Sequence, residues 1–143
     1  MTDNARSRAW FRVAVVYFAA AVALGIVMGA TGDHTLAAVH AHLNLLGWVT
    51  MTLFALIGMA HPAITEGPVA NAQFWLHNIG VPVMLVALAL RLEGHTAAEP
   101  VIGLASVVVG LGAALFAWLV LTRVAAQPAT SAEKAAGARL HTS

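Results

Sequence analysis

Residues 36–60 read LAAVHAHLNLLGWVTMTLFALIGMA, 25 positions without an Asp, Glu, Lys or Arg. A helix rises ~1.5 Å per residue, so this run is long enough to cross the ~30 Å hydrocarbon core of a bilayer. Its apolar side chains surround the whole helix instead of forming one stripe, a pattern that belongs to a buried or membrane-spanning helix. Three further runs share the pattern, at 10–30, 74–91 and 101–121. Over all 143 residues, 60% are hydrophobic and 9% charged, whereas a soluble domain has roughly a quarter of its residues charged. The expectation is an all-α integral membrane protein with four transmembrane helices running up-down-up-down. Short connections at 31–35, 62–73 and 93–100 force antiparallel neighbours. The transmembrane domain covers 1–124, and 125–143, rich in Ala, Thr and Ser, reads as a flexible cytoplasmic tail. Basic residues before an apolar run also open a signal peptide, but the first run is longer than a signal core and reads as a retained span.

Charge sets the orientation. Arg6, Arg8 and Arg12 flank the first span, and Arg123 and Lys134 follow the fourth; Asp33, Glu93 and Glu99 lie in the first and third connections, with Arg91 the one basic residue there. The positive-inside bias places both termini in the cytoplasm and the chain, as a multi-pass protein, in the inner (cytoplasmic) membrane. Trp10, Tyr17, Trp75 and Trp118 lie near span ends, where aromatic rings anchor at the interface. Gly25 and Gly29 form a GxxxG step that allows close helix contact. A net charge of +1 argues against a nucleic-acid partner, and the absence of Cys excludes disulfides and thiolate metal sites.

The chemistry lies in seven histidines. Polar groups inside hydrocarbon need partners, and ionisable ones mark functional sites. His40 and His42 enter an apolar helix; two positions apart on a regular helix they point about 200° from each other, so one metal ion cannot take both. Each can serve a separate partner, haem iron being the expected one in a chain without thiolates, with copper as the alternative metal. An imidazole that binds iron through Nε2 needs an acceptor for Nδ1–H, expected from a neighbouring helix. Asn44 is placed to orient an imidazole or a haem carboxylate, or to bond between helices. His77, one turn inside a helix starting near 74, is expected at the depth of His61, about 28 Å of helix rise from His42. It is a candidate for a second cofactor site. His34, His61 and His95 are secondary metal candidates, with exposed-loop or helix-end roles as the alternative, and His141 in the tail is assigned nothing.

The run at 39–48, VHAHLNLLGW, resembles the HxH-containing helix of the haem–copper oxidase subunit I superfamily, the cbb3-type cytochrome c oxidases in particular. The resemblance covers about ten residues, and FWLHNIGVP at 74–82 has a vaguer likeness to small oxidase-like membrane proteins. It implies a low-spin haem role for His42 and a high-spin role for His40. It also implies that these four helices correspond to one of the three four-helix arcs of the oxidase subunit. The family's copper-ligating His-His pair is missing, and Tyr17, the sole tyrosine, has no histidine near it in sequence. Family architecture suggests a homo-oligomer, a trimer ahead of a dimer, with haem held between copies.

Three functions follow as expectations. The first is a b-type haem protein for electron transfer, with a respiratory redox partner, or for gas or haem sensing. The second is a haem- or copper-assisted oxygen or nitric oxide reductase built from an oligomer. The third is a cofactor-free structural or assembly protein of a respiratory complex, its histidines bonding between helices.

Overall fold

Each apolar run folds as a helix because hydrocarbon offers backbone N–H and C=O groups no partner but one another. The protein is described over residues 5–124 by a computed structural model. Helix α1 is Ala5–Thr31, α2 Ala37–Ala60, α3 Gly67–Leu92 and α4 Glu99–Arg123. All are long and apolar enough to cross a membrane, and no strand occurs among the described residues. The chain is thus an all-α membrane protein of four successive antiparallel helices, as its composition requires. The tail assigned to 125–143 lies outside the described residues.

Two hairpins make up the bundle, α1 on α2 and α3 on α4. Glycines let them close. Gly47 on α2 lies directly under the Tyr17 ring, Gly58 faces Ser7 and Thr65, and Gly80 on α3 receives Val109 of α4. An aromatic cluster then joins the hairpins. Trp10 meets Phe54 of α2 at 5.1 Å between ring centroids and Phe74 of α3 at 4.8 Å, both edge-on, and Phe54 meets Phe116 of α4 at 4.1 Å. Edge-on pairs of this kind add about 0.5–1.5 kcal/mol each beyond area burial. Met51, Ala55, Val81, Met84, Leu85 and Val109 fill the space around them. Large apolar side chains such as Val16, Ile26, Leu104 and Leu121 remain on the outside, the surface that lipid would cover.

Polar contacts secure both ends. The Asp33 carboxylate accepts from Thr35 N–H at 2.9 Å and from its hydroxyl at 2.7 Å, turning the chain into α2; these two bonds hold the Asp33 carboxyl below the ordinary carboxylate range. At the opposite end Arg123 donates to the carbonyls of Ala63 and Glu66, tying the 3-10 turn Pro62–Thr65 to the end of α4. Arg91 and Glu99 pair at 3.3 Å on the exposed surface, where such a bridge contributes little.

Three expectations change. First, α3 begins at Gly67, not near 74: Gly67 turns the chain with φ +80°, and Pro68 occupies the first helical turn, where its missing N–H costs nothing. Second, α2 is not regular, since Leu43–Val49 is a π-helical segment. Third, Trp10 and Tyr17 are not interfacial anchors. Trp10 is 2% exposed in the aromatic core and Tyr17 packs on Gly47, whereas Trp75 and Trp118 do face outward. In the GxxxG step Gly25 receives the His40 ring, while Gly29 faces open space.

The close approach at Gly47 gives a direct test. Gly47→Ala should lower stability in detergent by about 1–3 kcal/mol through overpacking against Tyr17. Gly103→Ala, with open space around its Cα, should leave the unfolding midpoint unchanged; equal midpoints for wild type and both variants would contradict this packing.

Candidate functional site

The site grows out of the break in α2. Its first six residues, Ala37–His42, form an α-helical turn and a half, and the next seven are π-helical. At the end of that segment Thr50 N–H reaches five residues back to the Leu45 carbonyl, whereas His61 N–H reaches four residues back to Ile57. Passing from the first spacing to the second drops one carbonyl out of the ladder. The carbonyl following Leu45 is that of Leu46, and it accepts a hydrogen bond from His77 Nε2–H at 3.1 Å.

His77 is 1% exposed. Its ring lies edge-on to Trp10 at 5.6 Å and to Phe54 at 5.1 Å, and Gly112 of α4 lets that helix approach the His77 backbone closely. Because α3 starts early, His77 is about 15 Å into the helix, near mid-membrane and level with Leu46. The expected depth match with His61, far from His42, is therefore corrected: Leu46, which His77 touches, is four positions along the helix from His42. His77 Nδ1 and the Gln73 Nε2 one turn before it are both buried without a hydrogen-bond partner among the described residues.

His40 and His42 sit in the α-helical turn and part as helix geometry requires. The His40 ring lies over Gly25, with Nδ1–H donating to the Ala21 carbonyl of α1 at 3.0 Å. A carbonyl oxygen can only accept, so a proton is on Nδ1, and in the neutral ring the lone pair is on Nε2. The neighbouring helix thus supplies the acceptor for His40. The Asn44 amide donates to the His40 carbonyl at 2.9 Å and stands 3.4 Å from His40 Nε2, which screens that lone pair without a good hydrogen bond.

His42 differs. Its Nδ1–H turns back along its own helix to the Ala38 carbonyl at 2.7 Å, so the acceptor is intrahelical and not on a neighbour as expected. Its Nε2 has no hydrogen-bond partner among the described residues. The ring lies on a face where Ala38, Ala41 and Leu45 are all exposed, and the two alanines leave its flank open.

The remaining histidines stay apart from this pair. His34 is in the exposed first turn, bonded through Nδ1 to the Gly32 carbonyl. His61 ends α2, its backbone N–H and C=O bonding Ile57 and Ile64. His95 borders an apolar crevice of about 660 Å3 with Pro82, Val86, Leu90 and Val101. Among the described residues no three His, Cys, Asp or Glu side chains gather as a metal site.

No protein-family model, curated protein or solved structure matches the chain.

Ring-nitrogen protonation is the site's most specific prediction. In 15N-histidine spectra His40 and His42 should carry a proton on Nδ1, and His77 a proton on Nε2. Finding His42 without a proton on Nδ1 would contradict the geometry at Ala38.

Proposed function

We propose that the chain is a membrane b-type haem-binding protein, serving electron transfer or gas or haem sensing, with His42 as the principal iron ligand. The observation that carries this reading is the His42 hydrogen bond: Nδ1–H is committed to the Ala38 carbonyl, so that in the neutral ring Nε2 keeps its lone pair, on a helix face where Ala38, Ala41 and Leu45 are exposed. An axial histidine has this arrangement, one nitrogen oriented by a carbonyl and the other available to metal. Haem b, when bound, supplies one-electron chemistry at its iron. The chain's own residues orient the imidazole through Ala38 and keep its flank clear through Ala41.

His40 is the second candidate ligand. Its ring is held by Ala21 and Gly25, and its lone pair becomes available once the Asn44 amide turns aside. His77 fits iron ligation less well, because its Nε2–H is already given to Leu46 within the aromatic cage. Copper would need ligands from more than one copy of the chain, since one copy gathers no such cluster among the described residues.

His42 lies on a helix face where Ala38, Ala41 and Leu45 are exposed, which supports a homo-oligomer with haem at its interfaces. The short likeness at 39–48 to a twelve-helix oxidase subunit favours three copies over two. With Arg6, Arg8, Arg12 and Arg123 at the end that holds the 62–65 turn, the bias of positive charge supports cytoplasmic termini in the inner membrane.

Protein purified from haem-sufficient cells should show a Soret band and a sharpened α-band on reduction. His42→Ala should lose the Soret band while the protein remains in the membrane at wild-type yield. Haem-free wild-type protein from such cells, or an unchanged spectrum in His42→Ala, would overturn the reading.

A further inference from the structure

We propose that His77 is a positioning residue: by donating Nε2–H to the Leu46 carbonyl it fixes the π register of α2, and so the directions in which His40 and His42 point. The register part stands on the fold alone; its consequence for a cofactor rests on the haem reading above.

The π segment holds one residue more than an α-helix of the same rise, and π insertions of this kind collect at functional sites. Leaving its spare carbonyl unpaired in an apolar interior is costly, and no water is at hand to relieve it. Two remedies exist. A side chain can cap the carbonyl, or the ladder can close to uniform α spacing and abolish the spare group. His77 provides the first and removes the drive toward the second.

The two ends of α2 are unequally held. Met51, Phe54 and Ala55, beyond the π segment, are buried in the core. Before it, Ala37–His42 follows a short exposed turn, with Val39 its one buried residue. Closing the ladder would therefore rotate the Ala37–His42 end, by about 100° and ~1.5 Å, the increment of one residue. That rotation would take the His40 ring off Gly25 and away from the Ala21 carbonyl, and would carry His42 from the open face to a different one. His77 cannot follow such a movement, because Trp10 and Phe54 hold its ring and α4 packs on its backbone at Gly112. It is a fixed donor against which the segment is set. His77 needs no contact with the cofactor to do this.

Two substitutions test the proposal on the full chain in detergent or bilayers. His77→Gln places an amide donor where Nε2–H lies; His77→Leu fills the cage without one. In cofactor-free protein, His77→Leu should lose the ring-15N signature of the His40–Ala21 bond and speed amide exchange over 43–50 about tenfold, the consequence of one lost hydrogen bond. His77→Gln should keep both wild-type signals. In haem-loaded protein His77→Leu should shift the low-spin EPR pattern or the Soret maximum, and His77→Gln should restore them. If His77→Leu does not fold, His77→Asn, whose amide is too short to reach Leu46, takes its place with the same expectation. Wild-type ring signals and exchange in His77→Leu or His77→Asn would overturn the proposal while leaving haem binding intact. Absence of haem from the wild type would overturn the haem reading, and the exchange comparison would still decide the role of His77.

Discussion

A carbonyl without a donor is tolerable in water and costly in hydrocarbon. The bond from His77 to the Leu46 carbonyl answers that cost, and the structure of α2 depends on it. Burying an imidazole at mid-membrane is itself expensive; capping a spare backbone group makes the burial worthwhile. An unmet acceptor there would cost about 1–3 kcal/mol, comparable with or above what one interhelical hydrogen bond contributes in a membrane. The π segment, the Tyr17 ring over Gly47 and the direction of the preceding histidines are one connected arrangement.

Three imidazoles in the bundle are used in three ways. His77 gives its proton across the hairpins, from α3 to α2, and lends an edge to the aromatic cluster. His40 gives its proton within the first hairpin, from α2 to α1. His42 gives its proton to its own helix and makes no interhelical hydrogen bond among the described residues. Interhelical bonding accounts for the first two and leaves the third without a structural task. That is why the functional reading centres on His42 more than on the pair.

The four spans were legible because apolar runs of this length have few alternatives, and the antiparallel order followed from the short connections. The divergence of His40 and His42 was legible too, since both precede the irregular segment. The start of α3 was not read correctly: the sequence reads as a connection over 62–73, although Gly67-Pro68 is a helix-start signal. That error moved His77 about two turns toward the surface and hid its meeting with Leu46. The π segment has no clear mark in the sequence. Asn44 and Gly47 within it are suggestive only once a donor on another helix is known, and that donor lies 31 residues away. Trp10 was misplaced for a related reason, because position near a span end does not tell which side of the helix faces neighbours.

The most direct measurement is the dipolar contact between a 13C-labelled Leu46 carbonyl and 15N-labelled His77 Nε2 in bilayer-embedded protein. The account predicts strong dephasing, from a carbon–nitrogen separation of about 4 Å set by a hydrogen bond of ordinary length. No dephasing, with uniform α-helical carbonyl shifts through 43–49, would contradict it.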